Sequence, residues 1–223
     1  MDVLLIDDHV MFRQGLRLLL SDLDQNLTFM EAGSCAEALQ LIEGSNFSLI
    51  LLDLHMPGTE GLGALNAITA AVPCVPIAVL SGEDNPVVIR GAIDAGASGY
   101  VPKTLSSEIL IPALKLILAG GIYLPENALH GTEPVNDEVG KPALATSQMK
   151  ALLSARQRAV LLKAVRGQAN KVIALDLGIA EGTVKTHLSA AFKALGVHNR
   201  TEAVYAAAKL GITPAPVNSG SIG

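Results

Sequence analysis

Short apolar runs alternate with amphipathic stretches over the first 119 residues. The runs at 3–6, 27–31, 48–52, 77–80 and 99–101 are bounded by turn residues, which predicts buried strands. Between them, 9–20, 36–43, 62–70, 86–95 and 106–119 carry helical patterns. Leu16, Leu19 and Leu20 have the spacing of one buried helix face. This βα alternation predicts a doubly wound five-stranded parallel sheet with helices on both sides. The near-continuous apolar strands fit burial on both faces. From 120 to 148, Gly and Pro punctuate the chain, predicting a linker with a short helix near 126–129. After it the pattern is helical only, at 154–166, 170–177, 181–195 and 200–210, a small all-α domain over 149–211. The Pro/Ser/Gly-rich tail, 212–223, predicts disorder.

No apolar run approaches the roughly 18 residues of a membrane span. Nor does the N-terminus carry a basic region ahead of its first apolar run, so no secretory signal is expected. Two cysteines, Cys35 and Cys74, are too few for a disulfide framework. A cytoplasmic protein is the simplest expectation. The net charge of −5 is unevenly spread. Residues 1–120 carry 14 acids and 5 bases, whereas 151–223 carry 3 acids and 9 bases. An acidic front and a basic back suggest that the back domain faces phosphates.

In an open parallel sheet, ligands bind beyond the carboxyl ends of the strands. Asp7 and Asp8 follow the first strand, Asp53 the third, Ser81 the fourth and Lys103 the fifth, so all should meet at one edge. Asp53 is expected at the mouth of the sheet among like charges, so that Asp53→Asn should hold or raise stability in metal-free buffer. The set suits Mg²⁺ and a phosphoryl group: carboxylates for the ion, a lysine for the phosphoryl charge, and an aspartate nucleophile. An N-terminal helix cap explains Asp7-Asp8 alone, but not five such residues after the right strands.

The segments "LLIDDH" (4–9), "LLDLHMPGTEG" (51–61), "VLSG" (79–82) and "GYVPK" (99–103) resemble the receiver domain of two-component response regulators. The resemblance spans 1–119 and implies a flavodoxin-like fold with Asp53 as phosphoacceptor. It implies that Asp7, Asp8, Asp53 and the backbone carbonyl of His55 hold Mg²⁺. Ser81 is then the switch hydroxyl, Tyr100 the switch aromatic drawn inward on phosphorylation, and Lys103 the phosphate-binding lysine. His55 and Glu83 lie where such domains tune phosphoryl lifetime; plain surface polarity explains them equally well.

In 170–195, "NKVIALDLGIAEGTVKTHLSAAFKAL", two helices flank a turn at Gly178 with helix-turn-helix spacing. Val184, Leu188, Ala191 and Leu195 form an inward stripe on the second helix. Thr183, Lys185, Thr186, Ser189 and Lys193 lie off it, where short polar and cationic residues can enter a major groove. A solvated helical bundle is the bland alternative, weakened by the positive charge. Residues 152–204 resemble the LuxR-type DNA-binding domain, and with the receiver the chain is similar to NarL/FixJ-type response regulators. By that resemblance 181–195 is the recognition helix, with Lys185, Thr186 and Ser189 for the bases and Asn170, Lys171, Thr183 and Arg200 for the backbone. Three departures stand out: Gln157 where Glu is usual, Ala169 for Ser, and Ala180 for the usual Ser cap.

The expected function is a phosphorylation-dependent transcriptional regulator, not an enzyme. Its expected partners are a sensor histidine kinase, double-stranded DNA and a second copy of itself when phosphorylated or on DNA, with no membrane. Two alternatives are a receiver controlled by ligand or partner without phosphorylation and, more remotely, an aspartate-nucleophile phosphohydrolase. The second commonly needs a carboxylate two residues beyond the nucleophile, where this chain has His55.

Overall fold

The computed structural model describes residues 1–21, 27–58, 62–129 and 153–209. Most of the expected linker and the whole tail lie outside them.

Five parallel strands, β1 (Asp2–Ile6), β2 (Thr28–Ala32), β3 (Leu49–Asp53), β4 (Ile77–Ser81) and β5 (Gly99–Pro102), form one sheet in the order β2-β1-β3-β4-β5. The order reverses at β1, so the loops after β1 and β3 diverge to opposite faces and open a crevice. Alternate residues of each strand feed two cores. Leu4, Ile6, Ile50, Leu52 and Val79 pack under α2 (Cys35–Glu43), α3 (Gly63–Ala71) and α4 (Pro86–Asp94). Val3, Leu5, Leu49, Leu51 and Leu80 pack under α1 (Val10–Leu20) and α5 (Ser107–Leu118).

Two local expectations are corrected. Leu16 and Leu20 are buried, but Leu19 turns outward, because α1 lies on the sheet through an i, i+4 row. Residues 120–129 are not a free linker. Tyr123 bridges to Gly99 of β5, and the 3₁₀ turn Glu126–Leu129 places Ala128 in the core beneath α4.

The back domain comprises α6 (Ala155–Val165), α7 (Asn170–Leu177), α8 (Glu181–Leu195) and α9 (Arg200–Lys209). Its core joins Val160, Leu161 and Ile173 to Val184, Leu188, Ala191 and Phe192 of α8. Leu195 is only partly buried, and Phe192 takes the place in the stripe expected of it. Gly178 and Gly196 end α7 and α8 at positive φ, a conformation glycine adopts without steric cost.

The back domain rests against the amino-terminal edge of the sheet, the edge opposite Asp53. Asn170 Nδ2 donates to Cys74 O (3.0 Å), Lys185 Nζ to Phe47 O (2.9 Å), and Thr201 Oγ1 to Gly96 O and Ala97 O (both 3.3 Å). Cys74 is packed into the core of the back domain itself, its Sγ 3.5 Å from Ser189 Oγ. Gly96, at φ +100°, permits the contact: a Cβ there would stand 2.5 Å from Asn199 Nδ2.

Candidate functional site

At the carboxyl edge, Lys103 Nζ lies 2.7 Å from Asp7 Oδ2 and 2.7 Å from Asp53 Oδ2. The position of Lys103 follows from its strand: β5 ends at Pro102, and Lys103 N donates to Ser81 O at the end of β4 (2.8 Å). Phe12 of α1 supports the ammonium from its other side, the ring centre 4.5 Å away. Asp53 is the last residue of β3 and only 1% exposed. Asp53 lies beside Asp7 and Asp8, as expected, but it is buried rather than open at the mouth of the sheet, which corrects that part of the expectation. Asp53 is buried, and Lys103 is what makes burial tolerable. Burial alone would lower the Lys103 pKa; the hydrogen bonds it donates to Asp53 and Asp7, with the charges of those carboxylates, outweigh it and hold it above its ordinary value.

Asp7 Oδ1 accepts from His9 N (2.8 Å), and Asp53 Oδ1 from His55 N (3.1 Å). His9, not Asp7 or Asp8, is the N-cap of α1, so the capping explanation of the acidic pair does not hold. Asp8 Oδ1 is buried without a hydrogen-bond donor; His9 Nδ1 lies 2.9 Å away but out of hydrogen-bonding alignment. Asp7, Asp8, His9 and Asp53 offer ligand atoms all within 4.8 Å of one another. An orphaned carboxylate oxygen among hard donors fits a small divalent cation. His9 is the member of this cluster that sequence reasoning missed, although it directly follows the acidic pair.

Ser81 is buried, and its Oγ accepts from Glu83 N (3.1 Å) and meets His55 Nδ1 at 3.3 Å. His55 Nε2 is 3.3 Å from Glu83 Oε2, so the two residues bridge over the Ser81 hydroxyl. Tyr100 is buried, with its hydroxyl donating to Glu83 O (2.8 Å). The ring therefore already occupies the inward position that the sequence reading assigned to the phosphorylated state. Burial, with the nearby acids Glu83 and Asp53, pushes the phenol pKa up.

The seven residues expected at DNA do not share one surface. Lys171, Thr183, Thr186 and Ser189 are exposed. Lys185 is turned onto the receiver, bonded to Phe47 O and 3.7 Å from Glu181 Oε1. Asn170 is buried between the domains. Arg200 is committed inside the back domain: Nη2 donates to Ala164 O (3.0 Å) and Gln168 O (2.7 Å), and Nη1 to Asn170 Oδ1 (3.3 Å). It pins the α6–α7 turn, which replaces the backbone-contact role expected of it. With no carboxylate paired to it among the described residues, burial lowers its pKa to about 10.

The chain matches two family descriptions in tandem: "Response regulator receiver domain" over residues 3–115 and "Bacterial regulatory proteins, luxR family" over 151–207. It is 34% identical to the Glycerol metabolism activator of Pseudomonas putida over 214 residues, covering 95% of this chain and 96% of that protein. The chain is a response regulator of the NarL/FixJ type. The nitrate/nitrite response regulator NarL of Escherichia coli K12 is 34% identical over 202 residues, covering 90% of this chain and 92% of NarL. Among solved structures, a LuxR family DNA-binding response regulator from Silicibacter pomeroyi matches at 34% identity and TM-score 0.51, covering 56% of this chain and 97% of that one. Salmonella typhimurium RcsB shares the fold over 93% of this chain and 99% of its own, at TM-score 0.55 and 22% identity. This response regulator is thus a phosphorylation-dependent transcriptional regulator with a receiver and a LuxR-type DNA-binding domain.

The departures of this response regulator now have structural readings. Gln157 closes a capping box on α6: Ser154 N donates to Gln157 Oε1 (2.9 Å), and Gln157 N to Ser154 Oγ (3.2 Å). Arg156 donates instead to Leu177 O (3.1 Å). Ala169 and Ala180 are the N-caps of α7 and α8, and neither gives a side-chain cap.

Proposed function

We propose that Asp53 accepts a phosphoryl group from a sensor histidine kinase and that Lys103 is the switch's electrostatic hinge. The observation that carries this reading is the single ammonium shared at 2.7 Å between Asp7 and Asp53. A phosphoryl on Asp53 brings new anionic oxygens within reach of Lys103, which then turns from carboxylates to phosphoryl. Ser81 Oγ is placed to donate to a second phosphoryl oxygen once it leaves His55. That rearrangement passes to Glu83 and, through its carbonyl, to Tyr100. Asp7, Asp8, Asp53 and the His55 carbonyl would hold Mg²⁺, which supplies charge neutralisation for the incoming group. Phosphoryl transfer to Asp53 serves signalling rather than turnover of a substrate; on this reading the protein is a cytoplasmic regulator and not an enzyme.

The domain limits that fit this reading are a receiver over 1–119, a linker over 120–148 and a DNA-binding domain over 149–211, with residues 120–129 docked on the receiver. Lys185, Thr186 and Ser189 read bases on double-stranded DNA, while Lys171 and Thr183 hold the backbone. Lys185 and Asn170 reach DNA only after the domains part, and two copies then bind as a dimer. Labelling with acetyl phosphate tests the centre of the proposal. Wild type should label in a Mg²⁺-dependent way and Asp53→Asn should not. Equal labelling of the variant, or labelling that survives chelation of all divalent ions, would remove Asp53 from this role.

A further inference from the structure

A cavity of about 530 Å³ lies between the two domains, within the size range of small-molecule sites. Its receiver wall is apolar in Pro76, Ile117, Leu118 and Ile122, and the back domain adds Val172 and Val204. Its polar side is built from helix starts. Residues 169–172 open α7, and Glu181 and Gly182 open α8. The first N–H groups of a helix have no intrahelical acceptor, and both N-caps here are alanines with no side chain to meet them. The macrodipoles add positive potential at both starts.

An independent observation points the same way. Arg200 lines the cavity, and its Nε is buried with no acceptor, although its other nitrogens are satisfied. Lys171 and Lys185 line it too. The acids present are Asp2 and Glu181. Glu181 is offset by Lys185 at 3.7 Å, whereas the acid Asp2 and the bases Lys171 and Arg200 have no ion pair among the described residues, which leaves a net positive lining. The cavity therefore offers surplus cationic donors on one side and hydrocarbon on the other.

We propose that this interdomain cavity binds a small organic anion, a carboxylate or phosphate-ester head on an apolar body, and that the ligand fastens the domains together. The head sits at the starts of α7 and α8 beside Arg200, and the body lies against Ile117, Ile122 and Val204. Because the walls come from both domains, the ligand favours the closed form over any form in which α8 is free. The regulator would then answer to a metabolite-like anion as well as to phosphorylation. The binding half stands by itself; the effect on DNA rests on the reading of α8 as the recognition helix.

The test is calorimetric titration of the full-length, unphosphorylated protein with phenyl phosphate, benzoate and inorganic phosphate. At least one of the two aryl anions should bind saturably with one-to-one stoichiometry, about tenfold or more tighter than inorganic phosphate, since only they use the apolar wall. Val172→Trp, which fills the cavity, should abolish binding. Lys171→Glu, at an exposed position, should weaken it about fivefold or more, with circular dichroism checking the fold of both variants. Saturating aryl anion should weaken DNA binding by roughly the factor by which DNA weakens anion binding. Absence of saturable aryl-anion binding to wild type, or binding unchanged in both variants, overturns the proposal. Neither result depends on phosphoryl transfer to Asp53, so it separates from a failure of the labelling experiment. Anion binding without effect on DNA overturns the domain-fastening half.

Discussion

Lys103 is one cation serving two buried carboxylates, and removal of any one of the three side chains has a different consequence. Lys103→Met leaves Asp7 and Asp53 without a cation and should cost about 3 kcal/mol. Asp53→Asn leaves the Lys103–Asp7 pair in place and relieves one charge, so it should change stability by less than about 1 kcal/mol. Urea unfolding of both variants in metal-free buffer measures this; a greater loss for Asp53→Asn would reverse the account of which group depends on which. The pH dependence has a definite sign. The folded-state pKa of Lys103 is raised, so its contribution is fully present below the unfolded value of about 10.4 and is lost as pH rises through the folded one. The stability gap between wild type and Lys103→Met should therefore narrow on the alkaline side and stay constant at neutral pH. Asp7, Asp8, Asp53, Ser81 and Lys103 were legible in the sequence because parallel strands must deliver their ends to one edge. The structural role of Arg200 was not. It depends on three acceptors at 164, 168 and 170 that only folding brings around it.

Elements were easier to read than their ends. Every expected strand and helix among the described residues is present, since apolar periodicity marks what packs, and packing decides existence. The caps were less legible, because they depend on one side chain reaching one N–H. Gln157, in the sequence only a departure from the usual Glu, proved to be half of a capping box. Ala180, by contrast, was correctly read as a missing cap. Ala180→Ser should supply an acceptor to the first turn of α8, whose N-cap backbone is already extended (φ −70°, ψ 149°). The expected gain is about 1 kcal/mol, seen as a rise of roughly 2–4 °C in melting temperature for a chain of this size. No rise would mean that the N–H groups of that turn already have a partner of another kind.

At the scale of the molecule, the phosphoryl site and the domain contact occupy opposite edges of one sheet. Nothing in the sequence could show this, because the contact joins loops and helices about a hundred residues apart, such as Asn170 with Cys74 and Thr201 with Ala97. Loosening the contact without touching α8 should mimic the signal. Thr201→Val removes the hydroxyl that donates to Gly96 O or Ala97 O while keeping the shape of the side chain. One hydrogen bond of about 1 kcal/mol corresponds to roughly a fivefold shift toward the open form. Fluorescence anisotropy with unphosphorylated protein should show DNA affinity rising by about that factor; unchanged affinity would mean that closure does not limit binding.

Apart from the thiol of Cys74, which donates to Lys185 O (3.6 Å) and meets Ser189 Oγ (3.5 Å), the hydrogen bonds that join the domains through Phe47, Cys74, Gly96 and Ala97 run from side chains of the back domain to main-chain carbonyls of the receiver. A carbonyl survives almost any substitution at its own position. The receiver loops are thus free to drift in composition while still being grasped, provided that their path, Cys74 and Gly96 are kept. Loss of the grip, in contrast, can arise by single changes at Asn170, Lys185 or Thr201. Inheritance of the restraint is accordingly lopsided: it travels with the DNA-binding half, and a chimera that joins this half to a foreign receiver of the same backbone course should arrive already restrained.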